Sequence, residues 1–213
     1  MNQTPAVVRK TLWKTYALWF CLNNLAFVLT YPLCNWITSW RSDTVGLYLP
    51  AELDIPFVPQ LVWAYFSVNL LFIWPPFFLD EAQLKALGKR MLVGTLLASV
   101  VFLVIPTHLG FQRTIPADPL YRTLFSGLFF ADQPHNLVPS LHVVYSALTV
   151  FTYVSVMSRL RWKMLWIAWL LLIMASTVLV HQHHLLDAFS GLLVAAGIHY
   201  GFERRQIAEI ASA

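Results

Sequence analysis

The chain reads as an all-α, polytopic membrane protein, with six transmembrane helices and a short interfacial helix between spans three and four. Three observations predict this. Of 213 residues, 58% are hydrophobic and the mean hydropathy is +0.63, above the apolar share of a soluble domain. Asp, Glu, Lys and Arg are absent from residues 15–40, 55–79, 91–112, 133–158 and 164–186, and each block can cross a bilayer as a helix of about 20 residues. A sixth block, 188–202, reaches spanning length once Asp187 is taken in at its outer end. The nine Trp and eight Tyr fit interfacial belts, with Trp13, Trp36, Trp40, Trp74 and Trp162 near predicted span ends.

A short basic lead, 1–12, precedes span one at about 13–38. That span carries Asn23, Asn24 and Pro32, polar or kinking groups that lipid leaves unsatisfied and that are expected to pack inward. A polar loop follows, with Arg41, Asp43, Glu52 and Asp54, and Pro56 closes it. Span two covers about 57–78 and ends at Pro75-Pro76. A charged turn leads into span three at about 91–108. Residues 109–137 form the longest segment outside the spans, and Leu120 to Phe130 within it suits a helix lying at the interface. Span four starts at Pro139, since proline is at home in a first helical turn, and runs to about 158. Spans five and six cover about 164–182 and 185–202.

Alternating sides at each span puts eleven basic residues on one face: Arg9, Lys10, Lys14, Lys85, Lys89, Arg90, Arg159, Arg161, Lys163, Arg204 and Arg205. Only Arg41, Arg113 and Arg122 fall on the other. Positive-inside orientation then places both termini in the cytoplasm. The net charge of +4 therefore reflects membrane orientation and not nucleic-acid binding, because no dense basic patch exists. Cys21 and Cys34 lie in span one without metal or disulfide spacing. The first apolar block is too long for a removed signal peptide. A single integral-membrane domain, 1–213, is expected, with a catalytic core at about 90–203.

Three polar sites, distant in sequence, reach the non-cytoplasmic face together. One is Arg113, just past span three. Another is Pro139-Ser140-Leu141-His142, where the start of a helix offers free N–H groups and a partial positive charge suited to phosphate. The third is Ser176-Thr177 followed by His181-Gln182-His183-His184 and Asp187. His183 and Asp187 are four apart, on one helical face, so the carboxylate can hold the imidazole in one tautomer. Two histidines on separate helices can flank one phosphate, one attacking phosphorus and the other protonating the leaving oxygen. Individually each site has a plainer reading: a simple cap, a snorkelling arginine, loop histidines in water. Their coincidence at one face outweighs those readings. His108, His135, His181, His184 and His199 are assigned no chemistry.

These motifs resemble the type 2 phosphatidic acid phosphatase superfamily, which includes lipid phosphate phosphatases, soluble acid phosphatases and vanadium haloperoxidases. Pro139-Ser140-Leu141-His142 is similar to its second motif, and Ser176-Thr177 with His183 and Asp187 to its third. The likeness covers roughly residues 90–200. It implies His183 as a nucleophile forming a phosphohistidine, Asp187 as its orienting group and His142 as the general acid and base. Ser140 and Arg113 would hold the phosphate oxygens. Departures are specific: Pro106 stands where the first motif has Lys, Thr114 where Pro follows its Arg, and Thr177 where Arg follows Ser. Leu141 and the Ser176-Thr177 pair resemble the inositol phosphorylceramide synthase-like branch, as does the lead Asp132-Gln-Pro-His-Asn136.

Losing a Lys and an Arg removes two phosphate clamps, which Arg122 restores in part if it faces the site. Ser176 and Thr177 complete the candidate substrate contacts. The expected activity is metal-independent phosphoryl transfer on a membrane lipid phosphate, first as a lipid phosphate phosphatase. Headgroup phosphotransfer is the alternative reading, and a non-catalytic lipid-binding membrane protein is the alternative of a different class. No cofactor, metal or nucleic-acid partner is expected. The site is expected on the non-cytoplasmic face, which is periplasmic in a bacterial inner membrane.

Overall fold

The computed structural model describes residues 5–211, and side chains from 9 to 204. Residues 1–4 of the basic lead and the side chain of Arg205 lie outside it. All regular elements among the described residues are helices, and the one β feature is an isolated parallel bridge between Val45 and Thr107. Helix α1 spans Pro5–Ser39, α5 Glu81–Val104, α8 Leu160–Leu179 and α9 Leu185–Ala211. All four are long and apolar enough to cross a membrane, as expected of an integral membrane protein. Helix α7, Leu141–Val156, is apolar but shorter, at 16 residues. Helix α6, Pro119–Ala131, occupies the expected stretch, with Asp118 capping the N–H groups of Leu120 and Tyr121.

The segment expected as span two is not one helix. A 3-10 turn at Pro59–Leu61 leads into α2 (Val62–Phe66), α3 (Val68–Leu71) and α4 (Pro75–Phe78). Two causes are visible. Pro75 and Pro76 have no N–H to give to the preceding turn. At the α2–α3 junction Ser67 Oγ donates to the Ala64 carbonyl at 2.6 Å and Asn69 Nδ2 to that of Phe66 at 3.0 Å, so side chains compete for helix acceptors. Trp169 of α8 pins the junction by donating Nε1–H to Ser67 Oγ at 2.8 Å.

The core lies where α5, α7, α8 and α9 meet, around Ala98, Phe102, Val144, Leu148, Tyr153 and Ile173, all almost wholly buried. Helix α7 is central, which is why a 16-residue helix buries Ser146, Thr149 and Thr152 as well as its apolar residues. Each of those three hydroxyls is satisfied by the carbonyl four residues earlier in the helix. Helix α1 packs beside α5, where Gly88 lets the Trp19 ring lie against the backbone; a Cβ there would sit 2.5 Å from the ring.

Candidate functional site

The end of α8 and the start of α9 are joined by a tight reversal. Val180 N–H donates to the Ser176 carbonyl, and the Thr177 carbonyl accepts from both Gln182 and His183 N–H, each at 3.0 Å. His181 turns the chain with φ of 55°, a left-handed conformation that histidine adopts more readily than bulky residues. The reversal buries His183 and Asp187, at 5% and 0% exposure, against each other. Asp187 Oδ2 lies 3.3 Å from His183 Nδ1 and accepts the His184 N–H at 2.7 Å. A carboxylate oxygen can only accept, so His183 carries its proton on Nδ1 and its lone pair on Nε2.

The start of α7 meets the start of α9 through the backbone. Ser140 N–H donates to the Asp187 carbonyl at 3.0 Å, and Gly191 approaches so closely that an added Cβ would lie 2.7 Å from the Ser140 carbonyl. Ser140 Oγ caps α7 by accepting the Val143 N–H. Two residues after Ser140, the His142 ring stacks on Tyr65 of α2 with centroids 3.9 Å apart, and its Nε2 lies 3.0 Å from the Tyr65 carbonyl. That carbonyl must accept, so Nε2 carries the proton and Nδ1 is the nitrogen left for exchange.

His142 and His183 line one cavity of about 580 Å³. Tyr31, Tyr65, Asp132 and Leu141 line it at the same end as the two histidines. From there it follows α1 down to Tyr16, about 22 Å along the helix at 1.5 Å per residue. The walls are apolar, with Phe27, Leu84, Leu87 and Met91 among them, and Asn23, Asn24 and Asn69 part-way along. The rim residues Phe20, Asn24, Pro32, Asn69 and Ile73 are exposed, so the cavity opens sideways between α1 and the broken α2–α4 segment. Tyr16 closes it below, donating to the Phe72 carbonyl at 2.8 Å.

Asp132, partly buried, lines the cavity. Tyr31 O–H donates to it at 2.6 Å, across 101 positions of sequence. Burial raises this carboxyl above its ordinary value, opposed by the Tyr31 hydroxyl and the charges of His183 and Arg113. Arg113 is half-buried next to this group but does not line the cavity: Nη1 donates to the Phe129 carbonyl at 3.2 Å and the guanidinium stacks 4.9 Å from the Phe129 ring. Burial lowers its pKa, and Asp132 raises it in turn.

The predicted residues therefore divide. His142, His183 and Asp187 come together, with Ser140 framing them through its backbone. Arg113 is held on Phe129 and reaches the group only through its charge, which acts on Asp132. Arg122 is exposed on α6, donating to the Ala117 carbonyl at 3.2 Å. Ser176 and Thr177 turn their hydroxyls back to the Ile173 and Met174 carbonyls, at 2.7 and 2.8 Å, and do not line the cavity. Among the described residues no group of three or more His, Cys, Asp or Glu could hold a metal ion. No Lys or Arg among the described residues lines the cavity, and one carboxyl, that of Asp132, does.

Sequence reasoning did not single out Tyr31, Tyr65, Asp132 or Glu52. Asp132 alone had a signal, its place in the lead before Pro139. The neighbouring histidines are structural and not loop decoration. His184 is 1% exposed and stacked between Tyr48 and Phe111, with centroids 4.4 Å from each. His181 lies on the far face of Phe111 at 4.0 Å. His199 is at the opposite end of the bundle, between Arg90 and Glu203.

The family model described as the PAP2 superfamily matches residues 89–206. No curated protein and no solved structure matches the chain.

Proposed function

Since the chain belongs to the PAP2 superfamily, we propose that it is a metal-independent lipid phosphate phosphatase working through a phosphohistidine on His183. The observation carrying this reading is the shared cavity: His142 of α7 and His183 of the α8–α9 reversal at one end, and an apolar trough open to the side behind them. A phosphate at the outer end would lie between His183 and His142 while its lipid chain runs along α1. An all-trans chain of about 17 carbons fills 22 Å, taking roughly 1.25 Å per carbon from C–C bonds near 1.5 Å.

The steps follow from the tautomers. His183 Nε2 attacks phosphorus, and the bond to the lipid oxygen breaks. His142, entering this step as the imidazolium with a second proton on Nδ1, delivers that proton to the lipid oxygen, giving the lipid alcohol and leaving the neutral ring protonated on Nε2. Asp187 holds the Nδ1 proton of His183 and stabilises the positive ring while phosphorus is attached. Water then attacks phosphorus, His142 Nδ1 takes its proton, and the P–N bond breaks to release inorganic phosphate and restore His183. Helix α7 aims its N-terminal end toward this chemistry, and the charge of Arg113 supplies positive potential.

In the proposed arrangement α1, the α2–α4 segment, α5, α7, α8 and α9 are six spans, α6 lies at the interface, and residues 1–213 form one domain. The positive-inside count supports cytoplasmic termini and a site on the non-cytoplasmic face.

A second reading has one specific support. A cavity lined by Asp132 and, among the described residues, by no Lys or Arg favours a phosphodiester, which carries one negative charge fewer than a monoester, and thus headgroup transfer to an alcohol. The test is a panel of phosphatidic acid, isoprenoid phosphates and phosphodiester lipids, each with and without an alcohol acceptor. Phosphate release that persists without a new lipid supports the phosphatase. A new phosphodiester lipid that forms only with the alcohol replaces it by the transferase.

A further inference from the structure

Residues 52–58 of the first outer loop lie against residues 179–185, running in the opposite direction. Three contacts join them: Glu52 Oε2 accepts the Leu185 N–H at 2.8 Å, the Ile55 carbonyl lies 3.0 Å from His181 Nε2, and Val58 N–H donates to the Leu179 carbonyl at 2.8 Å. The loop is outside residues 89–206, the stretch that matches the family. Glu52 is 5% exposed, a carboxylate buried with no Lys or Arg bonded to it among the described residues. Its other oxygen accepts the Leu49 N–H at 2.9 Å.

The partner that gives this burial a purpose is His184. Its Nε2 accepts the Gly110 N–H at 3.1 Å, so a neutral ring carries its proton on Nδ1, which lies 3.4 Å from Glu52 Oε2. Two carboxylates thus grip consecutive backbone N–H groups at the start of α9: Asp187 takes that of His184, and Glu52 takes that of Leu185. The Asp187 oxygen in this grip, Oδ2, is the one that faces His183 Nδ1.

We propose that Glu52 is a positioning residue: through His184 and the Leu185 N–H it fixes the Asp187 carboxylate, and with it the tautomer and aim of His183. This rests on His183 being the nucleophile of the proposed reaction. Loss of an outer group that orients an active imidazole typically costs about 10- to 100-fold, as for supporting hydrogen bonds around ligating histidines.

The test uses the full-length protein in detergent micelles, labelled with 15N-histidine, as wild type, Glu52→Gln and His184→Phe. The second variant keeps an aromatic ring between Tyr48 and Phe111 and leaves the Glu52 bonds to Leu49 and Leu185, so it reaches the link from the other side if Glu52→Gln does not fold. The expected result is a wild-type His183 with Nδ1 protonated, and a changed Nδ1 resonance at His183 in either variant. It is joined by a kcat lower by about tenfold or more with KM unchanged, in protein whose melting temperature shows it folded. A His183 resonance unmoved in a folded variant overturns the proposal, as does a kcat loss that only tracks the folded fraction. If the wild type turns over no lipid phosphate, the proposed function fails, and the His183 resonance still decides whether Glu52 positions that ring.

Discussion

Ser140 and Asp187 are joined main chain to main chain, N–H to carbonyl at 3.0 Å, across the starts of α7 and α9. The two histidine-bearing segments are therefore registered by the backbone, and no side chain has to carry that task. Gly191 makes the approach possible, since its missing Cβ is what the Ser140 carbonyl occupies.

Gly191→Ala is accordingly expected to destabilise the protein by about 1–3 kcal/mol, the usual cost of overpacking, and to lower kcat by separating His142 from His183. Thermal unfolding in micelles together with turnover checks this. Gly197→Ala, where nothing lies within 4 Å of the added Cβ, is the control and should match wild type.

The proposed nucleophile and its orienting group should separate in degree. His183→Ala is expected to remove turnover to background and to abolish acid-labile phosphoprotein. Asp187→Asn keeps the size of the side chain but puts the Nδ1 proton of His183 at risk, and a drop of about 10²- to 10⁴-fold in kcat is expected. Rapid-quench measurement of phosphoprotein distinguishes slow formation from none.

Glu52 and Asp132 give stability terms of opposite sign in pH. Burial raises the Glu52 carboxyl, but the Leu49 and Leu185 N–H groups and His184 outweigh it, so its folded value lies below the ordinary 4.5. Its contribution is present above the unfolded value and is lost as pH falls through the folded one. Asp132 is raised above its ordinary 3.8, so its contribution is present below that value and is lost as pH rises through the folded one. Melting temperatures across about pH 3 to pH 7 should show wild type gaining on Glu52→Gln, and Asp132→Asn gaining on wild type, as pH rises.

The trough makes a separate prediction. Asn24 is exposed on its rim, away from both histidines, so Asn24→Trp should narrow the opening without touching the chemistry. An increase of several-fold in KM for a long-chain lipid phosphate, with kcat within about twofold and a short-chain soluble phosphate unaffected, is the expected outcome.

The helical membrane class was legible because a charge-free block of spanning length satisfies its backbone in lipid by coiling into a helix. The contact between His183 and Asp187 was legible because only four positions separate them. Tyr31 and Asp132 were not, because 101 positions separate two groups, one on α1 and the other at the end of α6, that only the tertiary fold brings together. Glu52 was hidden for the same reason, 133 positions from the N–H it accepts. The break in the expected second span turned on Ser67 and Asn69 bonding their own helix, a competition that hydropathy does not register. Ser176 and Thr177 looked like ligand contacts by their place in a motif, whereas the helix carbonyls of Ile173 and Met174 take their hydroxyls.

A trough with Phe20, Asn24 and Ile73 on an open rim has the surrounding bilayer as its solvent. For the proposed lipid phosphate substrate, ordinary acyl chains then compete for the same apolar walls. The meaningful affinity is then a mole fraction of substrate within the membrane, not a molar concentration in bulk water. Diluting the substrate with inert lipid or detergent at constant total substrate should slow the reaction, although nothing added binds the histidines.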